Sequence, residues 1–361
     1  MPNALFPILI MLRRFFLNKF FILFTTVILV TVGCQSQSQN TGETSESVYL
    51  TGAGATFPQF LYQKWFQEYT QENPNVQLNY QGTGSAAGIQ QIVAETIDFG
   101  ASDVAMTDEE IKQVSKGVVL LPMTAGSVVI AYNLPDVESG LKLSREVYSD
   151  IFLGKITRLN DSKIRALNPD FKLPNLPILL VHRSDGSGTT AVFTKHLSAI
   201  SSEWENKVGS GLNVQWVAGV AIKSSSGVSA QIQQQPGTIG YLESTYARES
   251  NLSTAALQNK AGNYIQSDIK TVTEALRSKP LPDDLRVFIP DPQGDNSYPI
   301  VTYSWLLVYK NYEDSNKAKV IKDVVKWCLS EGEKFAEELG YIPLPEDAVK
   351  KVEVALEEVK S

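Results

Sequence analysis

From residue 48 onward, short apolar runs alternate with longer stretches whose apolar residues recur every three or four positions. Runs of the first kind predict buried strands, and stretches of the second kind predict amphipathic helices. In order, the pattern predicts a strand over 48–50, a helix over 58–71, a strand over 76–80, a helix over 86–95, a strand over 98–101 and a helix over 108–116. Such alternation is the mark of a parallel sheet flanked by helices. Pro58 suits the first turn of its helix, and Thr107 with Glu110 forms a capping box for the last one. A second alternating section runs through 178–181, 190–197, 228–234 and 239–241, and the Pro/Asn-rich patch 168–177 reads as a loop. Two long extended runs, 127–132 and 300–309, lie between the alternating blocks and read as crossovers between two lobes. The tail, 318–339 and 346–359, has helical periodicity. The expected fold class is therefore α/β and two-lobed, each lobe a sheet flanked by helices, with a two-strand hinge. Lobe I takes 48–126 and 301–361, and lobe II takes 127–300.

The N-terminal segment follows a different pattern. Arg13, Arg14 and Lys19 precede an apolar run over 20–32 that closes on Gly33-Cys34. The run is short for a membrane-spanning helix, and a small residue before cysteine is the arrangement of a lipoprotein signal. Residues 1–33 are thus expected to be a signal peptide and Cys34 the acylated first residue of the mature chain; an uncleaved anchor helix is the competing reading. Met11 offers a second start that would give a more ordinary signal. Residues 35–47 contain no apolar side chain, so 34–47 reads as a lipidated, flexible tether. Apart from Cys34 the only thiol is Cys328, set among Val324, Val325, Trp327 and Leu329, where a buried structural cysteine is expected. No internal disulfide can form, so the fold must stand on its core. Beyond the tether, a chain of this length can bury ample apolar surface and usually divides in two.

Removing the three basic residues of the signal takes the formal charge from −7 to −10. That balance argues against nucleic acid and against adsorption to an acidic membrane. It leaves a small anion open, because a few aimed dipoles and one cation suffice at close range while distant charge is screened.

Three glycine-rich polar segments each end a predicted strand and open a predicted helix: Thr51-Gly-Ala-Gly-Ala-Thr-Phe57, Gly82-Thr-Gly-Ser-Ala-Ala-Gly88 and Ser184-Asp-Gly-Ser-Gly-Thr-Thr190. Helix starts carry unpaired N–H groups and partial positive charge, so such turns suit an oxyanion. Arg183 adds a planar fork of donors, Ser187 and Thr189 add hydroxyls, Gly188 and Thr189 add outward amides, and Asp185 can pair Arg183 and fix its rotamer. A solvated turn with an incidental arginine is the plainer alternative. Thr56 and Phe57 offer a hydroxyl and an N–H, or only a cap and a core ring; Ser85 reads equally as an N-cap. Asp103 falls beyond a strand end while Thr107 already caps the next helix. It is either a turn aspartate or a discriminator: a carboxylate accepts a hydrogen bond from an anion that keeps a proton, as phosphate does, and rejects sulfate, which keeps none.

At these residues the chain resembles the periplasmic phosphate-binding proteins of bacterial phosphate ABC transporters. The resemblance rests on Thr51-Gly-Ala-Gly-Ala-Thr-Phe-Pro58, Tyr80-Gln-Gly-Thr-Gly-Ser85, Asp98-Phe-Gly-Ala-Ser-Asp103, Leu153-Gly-Lys-Ile156 and Arg183-Ser-Asp-Gly-Ser-Gly-Thr189 in the family's order, and extends from about Tyr49 to the C-terminus. One departure is Ala86-Ala87 where Ser-Gly often follows the site serine. The resemblance implies a type II-like periplasmic-binding-protein fold in which Thr56, Phe57, Ser85, Asp103, Arg183, Ser187, Gly188 and Thr189 contact phosphate, with Asp185 supporting Arg183. It implies a monomeric, lipid-anchored receptor on the periplasmic or cell-surface side that delivers phosphate to membrane permease subunits and uses no cofactor, metal or catalytic residue. Two other readings compete: an exported phosphohydrolase, for which His182 and His196 are too few and too dispersed to build a metal cluster, and an adhesive or structural lipoprotein that binds no small ligand.

Overall fold

The computed structural model describes residues 47–361, so the signal peptide, Cys34 and nearly all of the tether lie outside the described residues. The chain opens with β1 (Val48–Gly54), α1 (Gln59–Glu72), β2 (Val76–Gly82), α2 (Ser85–Val93), β3 (Phe99–Ser102), α3 (Asp108–Lys112) and the long β4 (Val118–Tyr132). Its middle contains β5 (Lys142–Leu143), α4 (Arg145–Phe152), α5 (Ser162–Leu167), β6 (Leu179–Arg183), α6 (Gly188–Ile200), α7 (Ser202–Lys207), β7 (Val220–Ile222) and α8 (Ser224–Gln234). There follow β8 (Thr238–Glu243), α9 (Ser244–Glu249), β9 (Ser253–Thr254), β10 (Ala256–Gln258), β11 (Tyr264–Ile265) and α10 (Ile269–Arg277). The chain closes with β12 (Val301–Tyr309), α11 (Ser315–Cys328), α12 (Glu333–Leu339) and α13 (Glu346–Leu356).

The main sheet runs β2-β1-β3-β12-β4-β8-β6-β7, with β9 against β4. Strands β1, β2 and β3 are parallel, as are β8, β6 and β7. Between these parallel blocks lie the antiparallel pairings of β12 and β4. Residues up to Ser127 of β4 pair β12, and from Val128 onward β4 pairs β8, so a single strand passes from one half of the sheet to the other. Val128 N–H donates to Ile300 O (3.0 Å), which sets the second connection between the halves beside the first.

Every residue of β4 is buried, as expected of a strand covered on both faces. The predicted run 127–132 is only its last part; Pro122 and Gly126 interrupt the earlier apolar pattern. Pro122 is accommodated because the register with β12 shifts at Ser304/Trp305, a bulge where a missing N–H costs little. The predicted tail helix 318–339 is two helices, α11 and α12. Between them Gly332 is held against α1, where Trp65 Nε1–H donates to Gly332 O (2.7 Å). Helices α4, α5, α7, α9 and α10 lie in stretches without a predicted element; each carries a side-chain cap, from Ser144, Asp161, Ser201, Glu243 and Asp268 in turn.

Cys328 is a free, buried thiol, and burial raises its pKa. No helix among the described residues is long and apolar enough to cross a membrane.

Candidate functional site

Open α/β sheets present ligands beyond the carboxyl ends of their parallel strands. Here Thr56 and Phe57 follow β1, Ser85 follows β2, Asp103 follows β3, Arg183 ends β6, and Ser187, Gly188 and Thr189 form the turn into α6. Thr56, Phe57, Ser85, Asp103, Arg183, Ser187 and Thr189 are all buried.

The turns from the two halves of the sheet touch. Ala86 N–H donates to Gly186 O (3.0 Å). Gly84 has φ 99°, and a Cβ there would lie 2.7 Å from Asp185 Oδ2 and 2.8 Å from Gly186 O, so only glycine fits both the backbone and the approach. A Cβ on Gly188 would sit 2.4 Å from Ser85 Oγ and 2.8 Å from Asp103 Oδ2. The start of α6 thus lies directly over Ser85 and Asp103.

Asp103 is held from three sides. Ser304 Oγ donates to Oδ1 (2.9 Å), the Asp103 N–H donates to Ser85 Oγ (3.2 Å), and Thr302 Oγ1 donates to the Asp103 carbonyl (3.0 Å). Ser85 Oγ lies 3.5 Å from Oδ2, a long contact that leaves this oxygen the less satisfied of the two. Burial pushes the Asp103 carboxyl up to about 7, opposed by the Ser304 hydroxyl first and then by the Arg183 charge.

Arg183 is clamped. Its Nε donates to Asp185 Oδ1 (2.8 Å), Nη2 donates to Asp185 Oδ2, and Nη1 donates to Ser225 Oγ (3.0 Å). Burial works against the Asp185 carboxylate, but Arg183 and the Ser224 N–H (3.0 Å) outweigh it and hold its pKa below the usual range. With Arg183 donating to Ser225 Oγ, the Ser225 hydroxyl is free to donate to Thr56 Oγ1 (2.8 Å), which links the halves again.

Two expectations about caps change. Ser85 is the first residue of α2, not its cap: Gly84 occupies that position, and the Ser85 hydroxyl turns to Asp103 instead. Thr56 makes no cap for α1, whose boundary residue is Pro58. Ser187 does cap α6, accepting from Thr190 N–H (3.1 Å). Among the described residues none accepts a hydrogen bond from the N–H of Thr56, Phe57, Gly188 or Thr189, and Thr189 Oγ1 is buried without a partner. These donors, with the Arg183 fork and Asp103 as acceptor, can surround a protonated oxyanion.

Ser225, Ser304 and Thr302 are absent from the sequence-based site. Ser225 had a signal: Ser224-Ser-Ser-Gly227 is another small polar turn between a strand, β7, and a helix, α8. Ser304 and Thr302 lie within an unbroken apolar strand and had none. The histidines take no part in the cluster's side-chain contacts: His182 stacks on Trp216 at 4.6 Å and its Nδ1 meets only the Arg183 backbone carbonyl (3.1 Å), and His196 bonds Tyr148 Oη (2.8 Å) and Pro290 O (2.6 Å).

The chain matches the PBP superfamily domain over residues 39–331. It is 40% identical over 322 residues to a protein of Pasteurella multocida named Phosphate-binding protein PstS, a match covering 88% of this chain and 93% of that one. The chain belongs to the PstS family of phosphate-binding proteins. A PstS protein of Methanocaldococcus jannaschii is 41% identical over 344 residues, covering 88% of each chain. The solved phosphate-binding protein of Stenotrophomonas maltophilia superposes with a TM-score of 0.69 at 18% identity, covering 85% of this chain and 94% of that one, and shares the fold. The α/β, two-lobed fold class expected from the pattern is the architecture of this PstS member. These relatives carry the names of binding proteins, not of hydrolases or adhesins.

Proposed function

We propose that this chain is a periplasmic receptor that holds one inorganic phosphate between two lobes and delivers it to the permease of an ABC transporter; it is not an enzyme. The observation that carries this reading is the meeting of Thr56, Ser85 and Asp103 from one half of the sheet with Arg183, Ser187, Gly188 and Thr189 from the other. In this reading, lobe I comprises 48–126 and 301–361, lobe II comprises 127–300, and the strands crossing at 127–128 and 300–301 are the hinge. Arg183 supplies the cation, held in one rotamer by Asp185. The amides of Phe57, Gly188 and Thr189 and the hydroxyls of Thr56, Ser85, Ser187 and Thr189 supply neutral donors. Asp103 accepts the proton that phosphate keeps. Closing the lobes removes water and strengthens each of these charge-assisted contacts. A permease can then tell the loaded, closed receptor from the open one. The receptor works as a monomer, and an acyl group on Cys34 keeps it at the membrane.

Calorimetric titration of ligand-free protein with phosphate, sulfate and arsenate tests the assignment. Phosphate binds and sulfate does not, and Arg183→Ala weakens phosphate binding by about a hundredfold or more, the loss of charge-assisted bonds from a buried guanidinium. Equal binding of phosphate and sulfate, or an unaffected Arg183→Ala variant, refutes it.

A further inference from the structure

Three tyrosine hydroxyls converge on three successive carbonyls of the turn after β1. Tyr80 Oη donates to Ala55 O (2.6 Å), Tyr246 Oη to Thr56 O (2.7 Å) and Tyr341 Oη to Phe57 O (2.7 Å). The three come from β2, from α9 and from the segment after α12, and all are buried. Burial holds each phenol above its ordinary pKa, so each remains a donor at any working pH.

A carbonyl and the N–H that follows it share one planar trans peptide and point in opposite directions. Anchoring Ala55 O and Thr56 O therefore sets where the Thr56 and Phe57 N–H groups aim, the same groups without an acceptor among the described residues. Pro58 has no N–H, so the third anchored carbonyl aims none. A hydrogen bond accepted by a carbonyl also polarises its peptide, which makes the N–H a stronger donor.

Tyr246 differs from the other two. Helix α9 directly follows β8, in the half of the sheet that holds Arg183, whereas Thr56 lies in the half that holds Asp103. The Gln59 N–H also reaches Thr56 O, but at 3.3 Å, so the tyrosine is the shorter contact. We propose that Tyr246 is a positioning residue for the anion: its hydroxyl crosses to the Thr56 carbonyl, aims and polarises the Phe57 N–H, and does so only when the two halves are together. The inference rests on the phosphate-receptor reading above. Lobe closure then completes the donor set by more than proximity, because the Phe57 amide reaches full strength only in the closed form. Tyr80 and Tyr341 hold the same turn in the open form as well.

The test is Tyr246→Phe in the full chain, with phosphate affinity by calorimetry, the Phe57 amide by NMR, and thermal melting without phosphate. The loss of one buried hydrogen bond in the bound form predicts phosphate binding weaker by about three- to tenfold. The phosphate-free melting midpoint is unchanged, and the downfield shift of the Phe57 amide proton on phosphate addition is reduced. Tyr80→Phe, whose bond stays within one half, lowers the phosphate-free midpoint too. Unchanged affinity in Tyr246→Phe overturns the assignment. So does weaker binding with an unaltered Phe57 shift, or with a midpoint lowered as in Tyr80→Phe. Wild-type protein that fails to bind phosphate overturns the receptor reading itself.

Discussion

Asp103 shows how one side chain can set selectivity through its surroundings. Ser304 occupies Oδ1, and Oδ2 faces the start of α6, so one oxygen is left to accept from a ligand. Because burial between the two halves pushes its pKa up to about 7, Asp103 in this closed arrangement is increasingly protonated below that pH. A protonated carboxyl can donate to an anion that has no proton of its own. Rejection of sulfate is therefore strongest above pH 7 and weakens as the pH falls through about 7 toward 5, and Asp103→Asn, which can donate at every pH, removes that dependence. Titrations with sulfate at pH 5.5 and 8 check both statements; parallel pH profiles for the variant and the wild type refute them. Ser304→Ala takes away the largest force opposing protonation, so it moves the onset of sulfate binding to higher pH.

Two glycines with similarly close neighbours and opposite consequence separate site from scaffold among the elements. A Cβ on Gly88, within α2, would lie 2.7 Å from Ala101 O and from Gly54 Cα, so the helix would be forced off the sheet. Gly88→Ala is expected to lower the melting midpoint strongly with or without phosphate, since backbone at that distance cannot give way. A Cβ on Gly188 would instead meet Ser85 Oγ and Asp103 Cβ (2.7 Å), which belong to the opposite half. Gly188→Ala leaves the phosphate-free fold intact and weakens phosphate binding more than about tenfold, the cost of overpacking a close contact. X-ray scattering completes the contrast, because the Gly188→Ala variant fails to contract on phosphate addition while wild type does. A destabilised Gly188→Ala or an unaffected Gly88→Ala contradicts this division.

At the scale of the whole molecule, the shared strand β4 and its neighbour β12 make folding of the two halves interdependent. Phosphate at 100 times its dissociation constant adds about 2.7 kcal/mol against unfolding. A single cooperative transition that shifts upward with phosphate is expected by calorimetry. Glu243, at the end of β8, is buried and pushed up to about 8, although the Thr245 N–H (2.9 Å) and the Ser244 hydroxyl (2.8 Å) oppose the shift. An unfolded glutamate ionises near pH 4.5, so the native state retains a proton that the unfolded state has lost. Stability contributed by the protonated group is fully present below pH 4.5 and is lost as the pH rises through about 8. Glu243→Gln, neutral throughout, gains on the wild type between pH 5 and 9; melting midpoints that stay equal across that range argue against a buried neutral acid.

The sequence by itself determined the alternation of strands and helices in the first lobe, the capping box at Thr107, and the three polar turns at strand ends. These features depend on neighbours within a few positions, where apolar period, glycine and short polar side chains act directly on the backbone. Only the tertiary structure decided the rest. The turn between α11 and α12 is held by Trp65, far away in the chain, and the roles of Ser225 and Ser304 come from strands and helices brought beside Arg183 and Asp103 by the sheet order. The same holds for Tyr80, Tyr246 and Tyr341, which in sequence are ordinary core aromatics. Their common target, one turn of three residues, exists only once β2, α9 and the C-terminal segment are packed around it. Periodicity records which face of an element is buried, but not which partner lies across it.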